Sequence, residues 1–257
     1  MSILHRYLLR NRHVIDKHIW WLNTDVESDT AYLDRLVAEF PDFYEVQTTD
    51  RDGPMDTFRI HAFYPACCDP DAIYIRMDDD ICWMADDALE TLASFRTAHP
   101  EPFLVYGNIV NNSICNHIHR ELTAIPADLP LTFDVTCPFS WKDAWNGILF
   151  HTFFLKHRRD GTLDRYKFET RALAGYERFS INVMSWMGRD FAEFAGAVGH
   201  DEEPWLSSDK PAELQRPCVI CGNALFVHFA FHTQRDCLEQ NSDFLAAYAE
   251  ISDETGF

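Results

Sequence analysis

Nowhere do the 257 residues offer an apolar run approaching the roughly 18 residues that a membrane span needs, and Met1-Ser-Ile-Leu-His-Arg6 has no continuous apolar stretch behind a basic start. These two absences predict a cytoplasmic protein, and peripheral contact at the inner face of a membrane, which needs no span, stays compatible with them. Basic residues are also in short supply. Lys and Arg number 22 against 41 Asp and Glu, a formal net charge of −19, so the chain lacks the clustered positive face to which a nucleic-acid backbone binds. An acidic excess serves solubility; a small anionic partner then requires a metal, or a few placed Arg and Lys residues, to reverse the local potential. No disulfide framework is visible among the 8 cysteines, which are scattered. Cys218-Val-Ile-Cys221 has zinc-ligand spacing, but a structural zinc needs a second pair and the adjacent Cys67-Cys68 does not supply one, so the cysteines read as buried thiols. Repeats, low-complexity tracts and linkers are missing too. A 47% hydrophobic content then supports one domain over 1–257 with a sizeable core.

Apolar periodicity sets out the elements. Leu4, Tyr7 and Leu8 sit at helical spacing, and His18 to Asn23 reads as a buried strand. Glu27 to Phe40 reads as a helix stopped by Pro41, and Tyr44 to Thr48 alternates like a strand. After a polar loop at Thr49 to Asp56, Ala72 to Met77 forms a short apolar run, Asp86 to Ala98 a helix with Asp86-Asp87 as its cap, and Phe103 to Tyr106 a further strand. Trp141 to His157 is expected to be helical, Phe179 to Met187 and Ala224 to Phe231 to be strands, and Arg235 to Ile251 to close the chain as one amphipathic helix. Strand alternating with helix over the first half predicts an α/β domain with a mostly parallel sheet flanked by helices.

The chemistry concentrates at Asp78, Asp79 and Asp80, which follow the Ala72 to Met77 run directly. Three adjacent carboxylates repel one another and predict a cationic partner; oxygen ligands of this kind suit Mn2+ or Mg2+, which keep positions open for phosphate oxygens. Ligands of open α/β sheets bind outside the carboxyl ends of strands, where this cluster is expected. The alternative is a solvated acidic turn, disfavoured because Ile81-Cys-Trp-Met84 resumes apolar character at once.

Asp78-x-Asp80 in this setting resembles the DxD motif of glycosyltransferases of the GT-A class. Phe103 to Asn112, Asp201 to Ser207 and Val227 to Arg235 resemble blocks of bacterial and large-virus sugar transferases of uncertain specificity. The resemblance implies a single GT-A-like, Rossmann-like domain, with 1–112 as its nucleotide and metal half and 113–257 as its acceptor and catalytic half, and a metal-dependent, inverting enzyme that moves a sugar from a nucleotide-sugar donor onto a glycan or lipid-linked saccharide in surface polysaccharide synthesis. It assigns Asp80 to the metal, Asp78 to the metal or the donor ribose, and a late histidine, His228, to the metal shell, with Asp79 and Arg76 beside Asp78 on the donor side. His232 reads as a hydrogen-bonded core residue, and Arg76 equally as a paired strand residue. Inversion needs a carboxylate that takes the acceptor's proton; the resemblance points to Asp201, Glu202 and Glu203 without separating them, and the same residues also serve as helix-start charges. Trp141, Trp145, Trp186 and Trp205 are either acceptor platforms or core, and Asn108, Asn111 and Asn112 either sugar contacts or turn residues. Members of this class open with a strand that holds the nucleotide base, whereas this chain opens on what reads as the following helix; the first strand is expected upstream, with Met1 an internal methionine of a longer reading frame. Two other functions share the aspartates: a metal-dependent nucleotidyltransferase or phosphohydrolase, and a non-catalytic nucleotide-sugar or carbohydrate-binding protein.

Overall fold

A computed structural model describes residues 1–48, 60–199 and 201–254; the expected polar loop at 49–56 lies outside the described residues. Helix α1 (Ser2–Arg10) buries Leu4, Tyr7, Leu8 and Leu9. Strands β1 (His18–Trp21) and β2 (Tyr44–Gln47) pair in parallel across the helix α2 (Glu27–Glu39) and form a two-stranded sheet of their own. The expected buried strand at 18–23 is half exposed: Trp20 is buried and Ile19 faces outward.

The main sheet has six strands: β3 (Ile73–Met77), β4 (Ile81–Met84), β5 (Val105–Val110), β6 (Arg171–Leu173), β7 (Val183–Met187) and β8 (Cys218–His228), in the order β3-β7-β5-β8-β4 with β6 also on β8. Only β5 with β8 is parallel, and the other pairings are antiparallel. The expected mostly parallel, Rossmann-like sheet is therefore wrong, and the sheet is a mostly antiparallel, open one. The cause is long-range. Strands β7 and β8, from the second half of the chain, insert between β3, β5 and β4, and a helix between two strands does not oblige them to become neighbours. β4 and β5 flank the helix α3 (Ala88–Ala98), yet β8 lies between them.

Strand directions position the site. β3, β5 and β8 run the same way, while β4 and β7 run against them. The three residues Asp78 to Asp80 carry the chain from one edge strand to the other across the carboxyl ends of β5 and β8. β8 reaches both margins because it is long and bulged: its register against β5 shifts between Gly107 and Asn108, its first half pairs with β6, and its last residues pair with β4. A Cβ on Gly222 at this bulge would lie 2.1 Å from the Phe168 carbonyl oxygen, so only glycine fits the close approach.

Helices α4 (Ser113–Glu121) and α5 (Ala144–Arg159) cover the sheet, and the expected terminal helix is two, α6 (Arg235–Asn241) and α7 (Phe244–Glu254). Ser242 adopts extended backbone between them, which lets Leu238 and Tyr248 both reach the core. Asp87 stands at the cap of α3 but its side chain makes no capping hydrogen bond, contrary to expectation. The zinc-spaced Cys218 and Cys221 are buried free thiols on β8. Among the described residues no helix is long and apolar enough to cross a membrane.

Candidate functional site

The aspartate segment is fixed by its backbone. The Asp78 amide donates to the Asn182 carbonyl at the start of β7 (2.9 Å), and the Asp80 carbonyl accepts from the Phe229 amide just past β8 (3.0 Å). β3 is a half-buried edge strand, not the buried one expected. The segment it delivers tucks Asp78 and Asp80 inward and leaves Asp79 exposed. His228, the last residue of β8, meets them there: donor atoms of Asp78, Asp80 and His228 all lie within 4.8 Å of one another. Two carboxylates and an imidazole on one side of a point form a donor set for a divalent cation with positions left open. This cluster has the makings of a metal centre.

Hydrogen bonds orient each donor. His228 Nδ1 faces the Asn111 carbonyl (3.2 Å), which directs Nε2 to Asp80 Oδ2 (3.5 Å). Asn111 holds that carbonyl by leaving β5 in a left-handed conformation (φ 61°), while its amide donates to the Phe229 carbonyl and to Gln234 Oε1, each at 3.0 Å. Asn112 caps α4 through its side chain and donates to Asn182 Oδ1 (3.1 Å); Asn182 in turn donates to Asp78 Oδ2 (2.9 Å). Asn108 is bound to the Tyr166 and Gly222 carbonyls. All three asparagines are fully buried, so they scaffold the site and are not surface contacts for a sugar.

Charge compensation is internal. Arg76 Nη2 lies 3.3 Å from Asp78 Oδ1, and Arg235 Nη2 lies 2.6 Å from Asp80 Oδ2. The inference that neighbouring aspartates must call for a metal to neutralise them is thereby corrected: two guanidiniums do this already. Burial pushes the Asp78 carboxyl up, with Asp80 adding to it and Arg76 opposing. Burial would also raise Asp80, but His228 and Arg235 outweigh it and hold it below the usual carboxylate range. For His228, burial favours the neutral ring, yet the Asp80 carboxylate overrides this and raises its pKa to about 9.

The acidic turn expected to supply a base comes close through Arg76. Asp201 stands at the cap of a short helix, Glu202–Pro204, continued by a π turn at Trp205–Asp209. Gly199 lets the chain enter: a Cβ there would sit 2.2 Å from the Trp205 ring. Glu202 Oε1 accepts from the Tyr64 hydroxyl (2.5 Å) and lies 3.9 Å from Arg76 Nη1, so Arg76 stands between Asp78 and Glu202. Glu203 pairs with Arg178 (2.7 Å), and burial pushes its carboxyl up against the opposing pull of that arginine. Asp201 is exposed and stands apart from these contacts.

The remaining expectations divide. His232 is exposed, not a core residue, because the chain leaves the sheet after Phe229; its ring lies 6.1 Å from that of Trp141. Trp186 is core, while Trp145 is 64% exposed and open to a ligand. Sequence reasoning missed Tyr64, Asn182 and Arg235. Arg235 had a signal, since it closes the segment that begins at Val227; Asn182 and Tyr64 had none, because their partners are more than a hundred residues away. Two surface cavities, about 300 Å3 beside Phe95 and Pro217 and about 260 Å3 beside Trp83 and Arg158, lie away from the cluster. No family model, curated protein or solved structure matches the chain.

Proposed function

We propose that the protein is a divalent-metal-dependent glycosyltransferase that moves a sugar from a nucleotide-sugar donor to a glycan or lipid-linked saccharide with inversion. One observation carries the reading: the Asp78, Asp80 and His228 donors lie within 4.8 Å of one another, and Arg76 links that cluster to the acidic turn at Glu202. Asp78, Asp80 and His228 would hold Mn2+ or Mg2+, and such an ion, when bound, supplies Lewis-acid stabilisation of charge on a departing diphosphate. Arg76 keeps Glu202 fixed beside Asp78, and Tyr64 occupies one Glu202 oxygen. Glu203 is the better base. Its side chain is 25% exposed against 12% for Glu202, and its raised pKa suits a group that takes the acceptor hydroxyl's proton as the new bond to the anomeric carbon forms. Trp145 offers an exposed indole face on which an acceptor ring can stack.

A second reading rests on the same contact. Arg76 brings the Glu202 carboxylate next to the aspartates, and a phosphohydrolase or nucleotidyltransferase needs a carboxylate in that place. Incubation with a panel of nucleotide sugars and Mn2+ separates the two by product. Release of nucleoside diphosphate, lost in Asp80→Asn, is expected for sugar transfer. Release of sugar 1-phosphate, with the nucleoside monophosphate freed to water or carried to an acceptor, supports the second reading, and binding without turnover supports a non-catalytic protein.

A further inference from the structure

The charges around the cluster constrain what a bound cation brings with it. Asp78 is matched by Arg76 and Asp80 by Arg235, and each arginine also faces a glutamate, Glu202 at 3.9 Å from Arg76 and Glu239 at 3.8 Å from Arg235. His228 ligates a metal as the neutral imidazole and adds no charge of its own. A divalent ion on Asp78, Asp80 and His228 takes both aspartates from the arginines that now hold them and stands beside two guanidiniums. A phosphate-bearing anion placed there gains from both the ion and a guanidinium.

The two arginines are not equivalent. Arg76 is locked: its side chain is 16% exposed and it also donates to the Ile181 carbonyl (2.9 Å). Arg235 is 43% exposed and opens the short helix α6; its other partner is Glu239 at 3.8 Å on the same helix. Its hold on Asp80 uses Oδ2, the oxygen that His228 Nε2 also faces. A cation drawn to Asp80 meets a guanidinium already bound there.

We propose that Arg235 is an exchangeable counter-ion: it rests on Asp80, is pushed off by the arriving divalent cation, and then binds, together with that cation, a phosphate-bearing anion. This rests on the proposed metal site and adds to it an anion-binding residue and a built-in competitor for the metal. The planar guanidinium suits two phosphate oxygens at once. Coupling follows: metal alone binds against Arg235, and metal with anion binds with its help.

The test uses Mn2+ alone and then the preformed Mn2+–pyrophosphate complex, titrated into the wild-type protein, Arg235→Ala, Arg235→Lys and Asp80→Asn. Bound Mn2+ is followed by electron paramagnetic resonance and the complex by calorimetry. Loss of a partly exposed ion pair is expected to let Arg235→Ala bind Mn2+ alone roughly threefold more tightly. Loss of a charged hydrogen bond is expected to weaken the pyrophosphate complex about tenfold or more. Arg235→Lys keeps the charge and should fall between. Unchanged affinity of Arg235→Ala for the complex, or weaker binding of Mn2+ alone, overturns the proposal. Failure of the metal reading itself looks different: the wild-type protein and Asp80→Asn would then bind Mn2+ equally poorly.

Discussion

Arg76 stands between Asp78 and Glu202, with Nη2 3.3 Å from the first carboxylate and Nη1 3.9 Å from the second. It joins residues more than a hundred positions apart, one from the end of β3 and one from the turn beyond β7. Replacing it with alanine leaves the Asp78 carboxylate without its main opposing charge and pushes its carboxyl up further. The expected cost at pH 7 is about 3 kcal/mol in urea unfolding, and it should shrink in acid, where a protonated Asp78 needs no cation. A cost that is the same at pH 4 and pH 7 would show that Arg76 acts through packing instead.

His228 carries the pH dependence. Its folded pKa of about 9 exceeds that of an unfolded histidine, so the stability that its Asp80 pairing contributes is fully present below about pH 6.5 and lost as pH rises through about 9. A metal must displace that proton, so Mn2+ affinity should climb between pH 7 and 9 by at most about tenfold per unit. Calorimetry in buffers of different ionisation heat reads the proton release directly. Binding that neither releases a proton nor strengthens with pH would remove His228 from the metal shell.

The two glutamates should separate in kinetics. Glu203→Gln is expected to lower kcat by about a hundredfold or more while leaving donor binding unchanged, as for a general base. Glu202→Gln should act chiefly on stability, since its carboxylate is tied to Tyr64 and Arg76. Equal turnover of Glu203→Gln and wild type would reassign the base.

Asn111 tests the scaffold. Alanine at its left-handed backbone loses hydrogen bonds to the Phe229 carbonyl and Gln234 and should cost about 2–3 kcal/mol, whereas Asn111→Gly, free of strain, should cost about 1–2. Thermal unfolding of the pair measures the difference.

Local pattern carried the sequence reading as far as it went. α1, α2 and α3 follow from apolar spacing, because each buries one face within a short segment, and β2 and β3 follow from short local runs. Asp78, Asp80 and His228 were legible as a group, since motif and strand end pointed the same way. Strand direction was not legible: whether β4 runs with or against β5 depends on β8 arriving between them, a hundred and thirty or so residues later. Long separation also hid Asn182, 104 residues from Asp78, and the pairing of Arg235, 155 residues from Asp80, whereas Arg76, two positions from Asp78, was legible as a paired residue. His232 was misjudged because β8 ends at His228, four residues earlier, and the chain then turns outward.

The central claim is that Asp78, Asp80 and His228 jointly bind a divalent cation. A crystal of the protein soaked in Mn2+ and measured near the manganese absorption edge tests it most directly. The account predicts an anomalous difference peak bounded by Asp78, Asp80 and His228 that is lost in Asp80→Asn; a wild-type crystal with no peak there, or with its manganese elsewhere, would contradict it.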